Sequence, residues 1–164
     1  MSAAKEALLG LRPGDQVTAT AVGGDFVLPR DPRRPVLLIA AGIGITPFVS
    51  HLSSGALRER DAVLLLLARS ADEVPYADEL RASGLRVMVL LADGSQPPSG
   101  LASASTGVHG APGRVDGKAL AALVPDIGRR EVYVSGSPAS VASLRRAAWR
   151  AGARRVRSDS FAGY

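Results

Sequence analysis

The sequence predicts an α/β protein: a doubly wound, five-stranded parallel sheet of order 3-2-1-4-5 with helices on both faces. Three observations carry this. Strand-like runs stand at 36–40, 62–68, 86–91 and 131–135, and the first two are apolar without polar alternation, the pattern of strands buried on both faces. Helical signals occupy the stretches between them, and strands alternating with helices imply parallel pairing through crossovers. The first and fourth runs end alike, in a glycine turn that leads to a hydroxyl residue and proline: Gly42-Ile43-Gly44-Ile45-Thr46-Pro47 and Gly136-Ser137-Pro138. Thr46 and Ser137 suit the N-cap, and a proline at the first helical position gives up an N–H that has no intrahelical partner.

In chain order, residues 3–9 form a short helix that exposes Lys5 and Glu6. Pro13-Gly14 turns the chain into a half-exposed, alternating strand at 16–21. Gly23-Gly24-Asp25 turns it again before Phe26-Val27-Leu28-Pro29, and residues 30–35, with two prolines and three arginines, read as a linker. A helix and one or two strands cannot close a barrel or sandwich, so 1–33 reads as the end of a larger unit and 34–164 as a domain. The strand at 36–40 is followed by a helix at 47–54, and the strand at 62–68 by a short helix through 76–82 that Ser83-Gly84 closes. After the strand at 86–91, the Gly-, Ser-, Ala- and Pro-rich stretch 93–113 is expected to be a surface loop without a site. Asp116 caps a helix with Leu120, Leu123 and Val124 on one side. The helix opening at Pro138 turns Val141, Leu144, Ala148 and Ala151 inward, Gly152 ends it, and 154–158 is the fifth strand.

A chain of 164 residues, 46% hydrophobic and 4% aromatic, can bury one core built mainly of Leu, Val, Ala and Ile. No apolar run nears the roughly 20 residues that cross a bilayer, and the N-terminus lacks the basic-then-apolar pattern of a secretory signal. The absence of cysteine excludes disulfides, thiolate metal sites and a cysteine nucleophile, and with only His51 and His109 no metal site is expected. These features read as cytoplasmic. The net charge is +5, with much of the excess at Arg145, Arg146, Arg150, Arg154, Arg155 and Arg157. Such a run fits a solvated helix face or an anionic partner, and charge alone does not choose between them. Trp149 is the single aromatic there for base stacking, so nucleic acid is not an expected partner.

In a 3-2-1-4-5 sheet the first and fourth strands are neighbours whose connections run opposite ways, and such folds bind ligands in the crevice at that point. Two helix N-termini at one crevice offer N–H donors and positive helix ends to phosphate, which points to a dinucleotide. The turn is not a full Gly-x-Gly-x-x-Gly, because Pro47 holds the third position, and no acid directly follows the second strand to bond a ribose hydroxyl. Arg69 and Ser70 stand there instead; they suit a 2′-phosphate and lean toward NADPH over NADH.

Four stretches, LRPGDQVTATAVGGDFVLP (11–29), LLIAAGIGITPFVSHL (37–52), VYVSGSPASV (132–141) and SDSFAGY (158–164), together span nearly the whole chain. On them the sequence resembles the ferredoxin–NADP reductase superfamily, in family order. The resemblance implies the NAD(P)-binding domain of an FAD-dependent oxidoreductase, preceded at 1–33 by the end of a β-barrel flavin domain. Hydride would pass from NAD(P)H to FAD, and electrons onward to a redox acceptor protein or a small molecule. Gly42, Gly44, Ile45, Thr46 and Pro47 would line the pyrophosphate and nicotinamide, Arg69 and Ser70 would meet the adenosine end, and Gly136, Ser137 and Pro138 match the second nucleotide motif. Tyr164 or Phe161 would be the C-terminal aromatic that yields to nicotinamide, and Ser2 a hydroxyl against the FAD pyrophosphate. Thr46, Ser135 and Tyr164 are the implied catalytic residues; Ser135 stands where many relatives carry cysteine, and its hydroxyl can still orient a nicotinamide. The family's Arg-x-Tyr/Phe-Ser/Thr flavin motif is absent. A truncated flavin domain, or one shared from another chain, is therefore expected; the alternative is a catalytically silent nucleotide-binding or protein-interaction module.

Overall fold

A computed structural model describes residues 3–18, 26–104 and 115–161. Its centre is a parallel sheet of β1 (Val36–Ala41), β2 (Ala62–Ala68), β3 (Arg86–Leu91), β4 (Ala102–Ser103), β5 (Glu131–Gly136) and β6 (Arg155–Ser160), in the order β4-β3-β2-β1-β5-β6. The helices are α1 (Ala3–Leu9), α2 (Thr46–Ser53), α3 (Ala77–Ala82), α4 (Gly117–Leu123) and α5 (Pro138–Arg150). Five strands take the expected order, in register from Val36 opposite both Ala62 and Glu131.

Alternation along the strands divides the interior into two cores. On one face Leu37, Ile39, Leu65, Val132 and Val134 pack with Leu120 of α4 and Leu144 of α5. On the other Leu38, Leu64, Leu66 and Tyr133 pack with Phe48 of α2 and Leu80 of α3. The consecutive leucines of β2 show why that strand is apolar throughout: Leu64, Leu65 and Leu66 are all fully buried, each contributing about 1.5–3 kcal/mol.

Three expectations are corrected. The sheet has six strands, not five. Within the stretch read as a structureless loop, Ala102 and Ser103 pair with Met88 and Val89, and the buried Ala104 donates its N–H to the Val89 carbonyl at 2.7 Å. Two small residues on a sheet edge leave no hydrophobic period to read. The half-exposed strand at 16–21 is absent over its described residues 16–18, where Val17 is exposed and no neighbouring strand offers it a ladder. The described residues outside the α/β sheet thus show no barrel strand. Finally, the stretch read as a linker, 30–35, is anchored to the domain together with residues 26–29 before it. The Phe26 ring lies 5.8 Å from that of Phe48 and 5.4 Å, edge-on, from that of Tyr133. The Tyr133 hydroxyl donates to the Val27 carbonyl at 2.8 Å, and Arg60 donates to the carbonyls of Pro29, Asp31 and Arg34.

Among the described residues, no helix is long and apolar enough to cross a membrane, and no group of three or more His, Cys, Asp or Glu is placed to hold a metal ion.

Candidate functional site

The carboxyl ends of β1 and β5 meet at two turns that fit into one another. A Cβ added at Gly44 would stand 2.3 Å from the Ser135 carbonyl oxygen, and one added at Gly136 would stand 2.9 Å from the Ala41 Cβ. Each glycine supplies the space into which the other turn's backbone passes, so the two helix starts are drawn together at the point where the winding reverses.

The start of α2 differs from the expected form. Residues Gly42–Ile45 make a 3-10 turn, and Thr46 is already helical, its N–H bonded to the Ile43 carbonyl. Thr46 therefore caps nothing; its hydroxyl donates to the same Ile43 carbonyl at 3.2 Å. The extra turn consumes donors that would otherwise open α2, and the end turned toward the crevice is Gly42 and Ile43. At α5 the expectation holds in full. Ser137 is extended, its hydroxyl oxygen accepts the Ser140 N–H at 3.3 Å, and Pro138 begins the helix. The Ser137 hydroxyl also donates to the Ser140 hydroxyl at 2.9 Å.

Between these turns and the end of β2 lies a cleft of about 930 Å³, bordered by Gly42, Ile43, Arg69, Ser137, Ser140 and Phe161. Its floor is apolar, from Leu67, Val115 and Leu144, and its only charged lining residues among those described are Arg69 and Glu73. Arg69 is held by a continuation of the ladder, its carbonyl accepting the Asp93 N–H at 3.0 Å. Its guanidinium Nε lies 2.9 Å from the Glu73 carboxylate. Phe161 is tied to the opposite rim by its N–H, bonded to the Gly136 carbonyl at 2.9 Å.

Of the residues singled out from sequence, Gly42, Arg69, Ser137 and Phe161 border the cleft. Gly44, Ile45, Thr46, Pro47, Gly136 and Pro138 build the turns around it, with Gly44, Ile45 and Gly136 buried; Ser70 begins the turn after β2. Ser135 is not brought to the cleft lining. It is fully buried, alternation sends its side chain to the Tyr133 face, and its hydroxyl has no hydrogen-bond partner. Ser2 and Tyr164 lie outside the described residues. Sequence reasoning missed Ile43, Ser140, Ser143 and Glu73; for Glu73 the signal available was its position four residues after Arg69.

A cleft at the reversal of the winding, with a capped helix start and an arginine on its borders, defines the class: a doubly wound, parallel α/β domain with its cleft at the carboxyl ends of the strands. No protein-family model matches the chain. It is 27% identical over 137 residues to a flavohemoprotein of Bacillus subtilis, covering 82% of this chain and 34% of that protein. It is 35% identical over 130 residues to an NADPH oxidoreductase of Mycobacterium tuberculosis, covering 77% and 31%. The fold superposes on a cytochrome P450 reductase of Amycolatopsis with a TM-score of 0.66 at 27% identity, covering 93% of this chain and 46% of that one. The chain thus resembles, in sequence and fold, a part of the ferredoxin–NADP reductase-like flavoproteins. It spans about a third of the length of the curated relatives it matches.

Proposed function

We propose that this chain is the NAD(P)H-binding part of an FAD-dependent oxidoreductase. The observation that carries the reading is the cleft itself, with a cationic side chain at one end and a hydroxyl-lined helix start at the other. That layout suits a ligand with phosphates in the middle and flat rings at both ends. The residues fit a dinucleotide, because the interleaved Gly44 and Gly136 turns bring the two helix starts to one crevice.

When bound, nicotinamide and flavin supply the hydride chemistry. The chain's own part is positioning. Gly42, Ile43 and the α5 start, with the Ser137 and Ser140 hydroxyls, hold the pyrophosphate. Arg69 and Ser70 meet the adenosine end. Phe161 or Tyr164 covers the opposite end and withdraws to admit nicotinamide, while Thr46, Ile45 and Pro47 shape the turn beneath it. Ser135 orients the nicotinamide only where that ring crosses to the α2 side of the sheet edge. Toward a flavin, the described residues offer Phe161 as a single candidate contact, with Ser2 proposed against the FAD pyrophosphate, so no step is derived through it. The reading includes a domain boundary near residue 33, a redox acceptor that is a protein or a small molecule, and a cytoplasmic location.

The test is a visible spectrum of the purified chain after FAD is added and excess removed, recorded before and after anaerobic NADPH, beside calorimetric titration with NADPH and NADH. A flavin band that is retained and bleaches supports a reductase in its own right. Failure to bind either nucleotide overturns the reading. One observation favours a second reading, a catalytically silent nucleotide-binding module: the Ser135 hydroxyl is buried and turned from the cleft. That module binds nucleotide and leaves supplied FAD oxidised.

A further inference from the structure

Resting on the nucleotide-binding reading, we infer that Glu73 sets the choice between NADPH and NADH by occupying Arg69, the one cation on the cleft border among the described residues. Residues 69–73 fold back on themselves. Ser70 is extended, Ala71–Glu73 form a 3-10 turn, and the Glu73 N–H bonds to the Ser70 carbonyl at 3.2 Å. The turn returns the Glu73 carboxylate to the guanidinium, with Nε to oxygen at 2.9 Å. Both side chains border the cleft, and both reach solvent, Arg69 at 84% and Glu73 at 45% side-chain exposure.

This pairing changes what Arg69 can do. Alone, a guanidinium at the end of β2 draws a 2′-phosphate by a charge-assisted bidentate contact. Paired, it presents a neutral couple, and a phosphate dianion arriving there also meets the carboxylate. A ribose with a free 2′-hydroxyl meets no such repulsion and finds in the carboxylate an acceptor for its hydroxyls. Glu73 thus works against NADPH and with NADH, and Arg69 works the other way. The acid that sequence reading finds missing directly after the second strand is supplied four residues later by the turn. Because the pair is exposed, its influence is modest and screened by salt.

The experiment is calorimetric titration of NADPH and of NADH into the wild-type chain, E73Q, R69A and the double variant R69A/E73Q, at low and raised salt. E73Q is expected to tighten NADPH about two- to fivefold while NADH stays level or weakens, with the gain shrinking as salt rises. R69A is expected to weaken NADPH selectively, and the double variant to show no NADPH gain over R69A. An unchanged ratio of the two affinities in E73Q, or a gain that persists without Arg69, overturns the inference while leaving nucleotide binding intact. Absence of binding by either nucleotide overturns the nucleotide reading and the inference with it.

Discussion

At Gly44 the polypeptide has no room for a side chain, and the obstruction is backbone: the Ser135 carbonyl oxygen, 2.3 Å from where a Cβ would sit. A flexible neighbour could turn away; a strand end paired into the sheet cannot. Gly44→Ala is therefore expected to lower stability by about 2–4 kcal/mol, read from urea denaturation, and to weaken NADPH binding at least about tenfold by opening the interleaved turns. Ser135 predicts the opposite sign. Its hydroxyl is fully buried with no partner, so Ser135→Ala is expected to raise stability by about 1 kcal/mol; a lower melting temperature instead would mean that the hydroxyl is bonded. The residues of both turns were legible in the sequence, because glycine beside hydroxyl and proline is a local signal. That each turn fills the space the other leaves was not legible, since that contact joins segments remote in sequence.

Between elements, the least expected arrangement is that of residues 26–35, clamped onto the α2 face by Arg60, Tyr133 and Phe48. Prolines and arginines in a row carry no hydrophobic period, so this packing was hidden, as was β4. Four of the five long strands were legible because buried parallel strands are apolar runs, whereas β6, polar and mostly exposed, was legible only from the glycine that ends α5 before it. His51 of α2 makes the element's stability depend on pH. Its Nε2 is buried without a partner, and burial first, then the nearby Arg60 charge, holds the imidazole below its ordinary value of 6.5. The folded chain therefore stays unprotonated at pH values where the unfolded chain has taken up a proton. The contribution is whole above about pH 6.5 and is lost as pH falls from there toward the lower folded value. The urea midpoint is expected to drop between about pH 7 and about pH 5, and to drop less in His51→Gln; equal slopes would remove His51 as the cause.

Over the whole molecule the two ends of the sheet are built differently. The carboxyl ends of the strands hold the cleft, with small residues, interleaved turns and an unpartnered hydroxyl. The amino ends hold buried charge. Arg130, 6% exposed, reaches both carboxylate oxygens of Asp61, the carboxylate of Asp126 and the Val36 carbonyl. Glu131, 4% exposed, meets Arg157 at 2.7 Å, Arg34 at 3.5 Å and the Tyr133 hydroxyl at 3.2 Å. Burial alone would raise the Glu131 carboxyl, but the bonds from Arg157, Tyr133 and Arg34 outweigh it and hold the group below its ordinary 4.5. Its contribution is accordingly present above about pH 4.5 and lost as pH falls through the folded value. Glu131→Gln removes the carboxylate that the partly exposed Arg157 and Arg34 share, so stability at neutral pH is expected to fall by about 1 kcal/mol, with a shallower loss below about pH 4.5. The same variant is expected to bind NADPH within about twofold of wild type while folded, because distant sites with no shared partners act independently. Calorimetry at a temperature well below its melting point separates the two effects. Binding that declines in step with stability would show the two ends of the sheet to be coupled through β5, the strand that carries Glu131 at one end and Gly136 at the other.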